Sequence, residues 1–184
     1  MRTWNLRHAL PLLLLTTAAA GAGPASAATV CASADGPTAQ ASTVALANST
    51  LCLVNQERTS RGLKALKANR RLARAARGHA NDMVVKGYFS HDTLGGGSFV
   101  DRIRKAGYVP PRLLPSLGED LAWGSGELGT PREIVQGWME SPGHRANILS
   151  RKYREAGMGV AFGDPGAGAM GVTYALDFGS GGRR

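Results

Sequence analysis

The chain has two cysteines in 184 residues, few aromatics (6%), and no acidic residue before Asp35. Two cysteines cannot build a Cys₄ zinc ribbon or a disulfide-dense mini-protein. Past the N-terminal stretch no apolar run is long enough to cross a bilayer. No repeat is visible. The formal charge of +9 is scattered, mainly over 58–77 and 102–105. No basic run alternates with aromatics, so nucleic acid is not an expected partner. The compact signatures of catalysis are missing as well. There is no His-Glu-x-x-His helix and no nucleophile elbow. Gly95-Gly-Gly97 lacks the strand–loop–helix setting of a phosphate cradle and reads as a flexible loop.

What is present begins with an export signal. Arg2 and Arg7 precede the apolar stretch 10–20, and Ala25-Ser-Ala27 has the small-x-small form of a cleavage site. Residues 1–27 are therefore expected to be a signal peptide, and the mature chain to be secreted and not membrane-spanning. Removing Arg2 and Arg7 leaves a formal charge of +7, which favours anionic partners in the envelope. In an oxidising compartment an even cysteine count favours a Cys31–Cys52 disulfide. A loop of that length stabilises by about 3 kcal/mol. Residues 28–43, small and polar, are expected to be a flexible linker, 44–179 one domain, and 180–184 a tail.

Helical patterns cover 44–60 and 69–86. In the second, Leu72, Ala76, His79 and Met83 share one face, and Gly87 stops it. His79 on that stripe reads as a structural core histidine, with support of a neighbouring site residue as the alternative. Ser98 and Asp101 suggest a capping box for a helix reaching Ala106. Thr130-Pro-Arg-Glu133 starts another with an N-cap threonine and proline at the first position. Ser141-Pro-Gly143 breaks it, and a short helix restarts at His144. Strands are expected at 119–123, 157–162 and 171–178, the last two as a hairpin. Helices followed by a hairpin imply an α+β fold with helices packed on a small antiparallel sheet. Trp123 and Trp138 are expected in the core or the wall of a cleft.

Three fragments set a metal-capable side chain beside a turn: Tyr88-Phe-Ser-His91, Gly118-Glu-Asp-Leu-Ala-Trp123 and Trp138-Met-Glu-Ser-Pro-Gly-His144. They give His91, Glu119 and His144. Two imidazoles and a carboxylate suit Zn²⁺ or another divalent cation with a position open to water.

Those fragments, with Ser141-Pro-Gly-His-Arg-Ala-Asn-Ile-Leu149 and Gly157-Met-Gly-Val160, resemble the bacterial branch of the CAP superfamily. This superfamily, also called SCP-like, includes cysteine-rich secretory proteins, antigen five and pathogenesis-related proteins. The resemblance runs from about Leu51 to Phe178. It implies a three-layer α-β-α sandwich with an open cleft lined by two histidines and one or two glutamates. On this chain these are His91, Glu119 and His144, with Glu140 nearest to the second glutamate. Asp120 departs from the family's usual Asn and would add negative charge beside Glu119, either raising that glutamate's pKa or tightening a cation site. The function implied is a secreted binding module for a divalent metal and an envelope, lipid or protein ligand. The alternatives are a metal-dependent hydrolase acting on extracellular or cell-wall material, and a structural domain whose basic surface meets anionic polymer.

Overall fold

The structure, a computed structural model, describes residues 31–109, 115–166 and 170–181. The expected signal peptide 1–27 and the end of the expected tail lie outside these. Among the described residues no helix is long and apolar enough to cross a membrane.

Each helix starts where a side chain accepts an orphan backbone N–H. Ser42 caps α1, Thr43–Thr59, by accepting from Ala45. Asn69 accepts from Arg71 and Leu72 at the head of α2, Arg70–Lys86. Ser98 and Asp101 form the capping box of α3, Phe99–Lys105. Thr130 caps α4, Pro131–Glu140. The last helix, α5, spans Pro142–Ile148 and is the exception, with no side-chain cap. It begins two residues before the expected restart, because proline suits the first helical position. His144 therefore sits inside its first turn.

The sheet contains β1 (Lys67–Ala68), β2 (Leu117–Ser125), β3 (Glu155–Phe162) and β4 (Gly171–Gly179) in the order β1-β3-β4-β2. The three long strands are antiparallel, as expected, but β1 pairs with β3 in parallel. Two exposed residues carry no period that a sequence pattern could register. β2 is nine residues long, because its pairing with β4 extends well beyond the apolar run that suggested it.

Strand alternation divides the core in two. Tyr174, Leu176 and Phe178 of β4 pack with Leu46, Val54 and Trp138 from α1 and α4. Ala175 faces the other way, with Ala76, Ala80 and Met83 of α2. The result is three layers: α1, α4 and α5, then the sheet, then α2 and α3. α2 lies directly on β3, since a Cβ on Gly157 or Gly159 would overlap the α2 backbone at Leu72–Ala73 or Ala76–Arg77. Trp138 is 1% exposed, but Trp123 is 48% exposed and belongs to no core cluster.

Two ties fix the α1 layer. Arg58, buried, donates to the carbonyls of Lys64, Ile148 and Ser150, which joins the end of α1 to the end of α5. The Cys31–Cys52 disulfide is formed, with Cα atoms 5.8 Å apart, and binds the segment before α1 to the helix. That segment is less loose than expected: Cys31 and Ala34 are buried in the core.

Candidate functional site

Glu119 and Leu121 project from β2 toward the α2 layer, while Asp120 points to the opposite face of the sheet. Glu119 is 4% exposed, so its charge requires partners. Oε1 is 2.8 Å from His91 Nδ1, and Oε2 accepts from Arg102 Nη2 at 2.6 Å. Arg102 also donates Nη1 to the His91 carbonyl at 2.8 Å. One guanidinium on α3 thereby holds both the carboxylate and the backbone carrying the histidine.

The Tyr88-Phe-Ser-His91 fragment is held from below by α2. Gly87, at φ 65°, ends that helix with its N–H on the Met83 carbonyl. Only a residue without Cβ adopts this backbone freely. Tyr88 donates to Asp82 and meets the His79 ring edge-on. His79 Nε2 is 2.8 Å from the Ser90 carbonyl. His79 thus supports the His91 loop from the core, where burial, and next the Arg102 charge, lower its pKa. The His91 side chain remains 54% exposed.

His144 is half-buried on α5, and its Nδ1 has no hydrogen-bond partner among the described residues. Burial first, then the charge of His91, lowers its pKa. The hydrogen bond with Glu119 raises that of His91 against the desolvation opposing it. The two rings are near enough to couple, and they are pushed in opposite directions. NMR titration of the ring nitrogens is expected to find His91 protonating at higher pH than His144, with Glu119→Gln bringing His91 down. Coincident titration curves would contradict the geometry.

Glu140 stands apart from this group. It accepts from Gln136 at 3.0 Å on the exposed face of α4 and lines a cleft of about 330 Å³ with Leu53, Gln56 and Glu57 of α1. Among the described residues no three His, Cys, Asp or Glu side chains stand together as a metal-enclosing set.

Asp120 points to the other face from Glu119, because a one-residue step on a strand reverses the face, but its charge still couples to Glu119 and His91. Its Oδ1 accepts from Asn147 Nδ2 at 2.7 Å, and its Oδ2 is buried without a partner among the described residues. Burial dominates and pushes its pKa up to about 7. Asn147 also donates to the Glu119 carbonyl at 3.4 Å, so α5 is fastened to the strand bearing the carboxylate.

Two participants escaped the sequence reading. Arg102 is seventeen residues from Glu119, and no motif joins them. Asp177 is paired with Glu119 across β2 and β4, is 1% exposed, and has no donor on either oxygen among the described residues. Burial and then the Glu119 charge hold its carboxyl well above the usual range, with Arg102 opposing. A proton on Asp177 lets it donate to Glu119, which two bare carboxylates cannot do. Its signal was the alternation of Val172, Tyr174, Leu176 and Phe178, which sets Asp177 on the other buried face.

The family model described as CAP, cysteine-rich secretory protein family, matches residues 51–177. The uncharacterized protein YkwD of Bacillus subtilis (strain 168) is 37% identical over 107 residues, 58% of this chain and 39% of that protein. The uncharacterized membrane protein YlbC of the same organism is 36% identical over 110 residues, 60% of this chain and 30% of that protein. The chain thus spans well under half the length of these curated relatives. An extracellular protein containing an SCP domain from Bacillus anthracis str. Ames superposes with a TM-score of 0.57 at 29% identity, over 70% of this chain and 38% of that one. An outer surface protein from Borrelia burgdorferi does so with a TM-score of 0.58 at 18% identity, over 71% and 89%, and shares the fold. With the family match running from within α1 to the buried Asp177 of β4, this chain belongs to the CAP family of cysteine-rich secretory proteins.

Proposed function

We propose that the protein is an exported CAP-domain binding module whose His91, Glu119 and His144 hold a divalent cation weakly and, beside it, an envelope, lipid or protein ligand. The observation that carries this is the 2.8 Å contact between His91 Nδ1 and Glu119. A histidine that gives one ring nitrogen to a carboxylate has its other nitrogen oriented for a metal. On this reading Glu119 positions His91 and is not itself a ligand, since both its oxygens are engaged. His144 offers the second imidazole. Two protein ligands leave the remaining positions to water or to the bound ligand, which makes the cation exchangeable.

Export is supported by the signal-like residues 1–27, by the disulfide and by the extracellular SCP-domain relative. The hydrolytic alternative has less support. It needs a free carboxylate as base beside the cation, whereas Glu119 is occupied on both oxygens and Glu140 faces the cleft beside α1.

Calorimetric titration with zinc tests the reading. The wild type is expected to bind one ion, His91→Ala/His144→Ala to bind none, and Glu119→Gln to bind about 10- to 100-fold more weakly. A wild type that takes up no zinc, or a double variant that binds it as well, would overturn the cation site.

A further inference from the structure

One face of α2 carries three choices that cost the helix stability. Arg74, Arg77, Gly78 and Asn81 follow i, i+3, i+4 and i+7 and so share that face. The two arginines are neighbours of like charge, which repel. Both are exposed, and neither has an acidic partner among the described residues. Arg58, Arg61, Arg102 and Arg132, by contrast, each donate to a carbonyl or a carboxylate. Glycine inside a helix is less favourable than alanine, and asparagine is a weak helix former as well. The fold does not require the glycine. An added Cβ would meet nothing within 4 Å, and the backbone there is not at positive φ. Local choices that oppose the local structure without a packing reason gather at functional sites.

These four residues line a cleft of about 550 Å³, together with Thr43 at the start of α1 and Phe162 at the end of β3. Among the described residues no acidic side chain lines it. Phe162 is 47% exposed. Without a side chain, Gly78 leaves the α2 backbone open beside the two guanidiniums, and glycine is used in this way where a ligand approaches main chain closely. β4 separates β3 from β2 and its Glu119. The cleft is therefore distinct from the His91 and His144 site, and it stands whether or not a cation binds there.

We infer that this cleft is a binding site for a phosphate monoester. The two negative charges of that group match Arg74 and Arg77, whose planar forks of N–H donors suit phosphate oxygens. The remaining oxygens have the Asn81 amide and the Thr43 hydroxyl as donors, and the carbon body of the ester has Phe162 as an apolar wall. A carboxylate brings one charge and two oxygens, and leaves one guanidinium without a counter-charge. The same phosphate group is carried by a soluble glycerol phosphate and by the headgroup of phosphatidic acid in a membrane.

The test is NMR of the ¹⁵N-labelled protein titrated with glycerol 3-phosphate, beside co-sedimentation with phosphatidylcholine vesicles containing phosphatidic acid. Saturable shifts are expected at the side-chain N–H groups of Arg74 and Arg77 and at the Gly78 amide. Arg74→Gln/Arg77→Gln, which relieves the repulsion within α2 and so folds, is expected to weaken binding by at least about tenfold. Arg61→Gln/Arg151→Gln removes the same charge at the far end of α1, where Arg58 meets Ser150, and is expected to leave binding unchanged. Gly78→Leu keeps every charge but fills the cleft beside the arginines, and is expected to weaken binding as well. A response to the soluble ester supports the site with a free ligand. A response to the vesicles alone, with the same pattern among the variants, supports it with a lipid headgroup. No saturable response to either overturns the proposal. Equal weakening by the two arginine pairs overturns it in favour of diffuse charge attraction, and undiminished binding by Gly78→Leu overturns the cleft.

Discussion

Gly159→Ala and Gly157→Ala are each expected to destabilise the domain by about 3 kcal/mol or more, or to prevent folding. A methyl group at either position runs into the α2 backbone, and backbone inside a seventeen-residue helix has no rotamer by which to yield. Relief requires lifting α2 from β3, which opens the packing of Ala76, Ala80 and Met83 against Ala161 and Ala175. Gly78→Ala is the control. It lies in α2 itself with nothing within 4 Å of the added carbon, and alanine is the better helix former by about 1 kcal/mol. Denaturant unfolding should therefore move in opposite directions for the two kinds of substitution. Similar midpoints for Gly159→Ala and the wild type would mean that α2 does not lie on the sheet as described.

Asp120→Asn is expected to stabilise the protein at pH 8 and to do little at pH 4. The carboxyl is fully buried, one of its oxygens has no partner among the described residues, and burial raises its pKa from 3.8 to about 7. A raised folded-state value means that folding favours the protonated form. The Asp120 contribution is therefore intact below pH about 4 and is lost as pH climbs through about 7, where the folded chain must bury a bare charge. Asparagine keeps the acceptor for Asn147 and removes the charge. The gain at pH 8 is on the order of a few kcal/mol, read as a higher melting temperature. A gain of equal size at both pH values, or none at pH 8, would sink the argument. Stability that still falls with rising pH in the variant is expected from Asp177, the other buried carboxyl raised on this sheet.

Asp120 also illustrates what could be read before the fold was known. Its departure from the family pattern and its charge near Glu119 are legible in the sequence, but its burial and its contact with Asn147 are not, because they arise across the sheet from α5. Helix limits were legible because caps are local: Asn69, Ser98 and Thr130 each act within three residues. The hairpin of β3 and β4 was legible for the same reason, being set by period two and one intervening turn. Arg102 and Asp177 were not. Each reaches Glu119 only after three layers have closed, and neither type of residue has a period or spacing that announces a distant partner. Glu140 is the nearest candidate for the family's second glutamate because it ends the helix before His144, yet it lies against Gln136 and beside α1. The fragments bearing His91, Glu119 and His144 were recognisable because each is a turn with a fixed composition, and composition at turns follows from backbone geometry.

The Cys31–Cys52 bridge closes a ring of chain that holds the turn at Thr38–Gln40 and more than half of α1. Ala39 and Gln40 are exposed there, where a protease in the surroundings would cut first. Such a cut releases nothing. The severed end stays tethered through Cys52 to the same helix, with Cys31 and Ala34 still seated in the core. A nicked molecule would travel at full mass under denaturing conditions until a reductant separated its pieces, so damage at this point is invisible to size and silent to the fold.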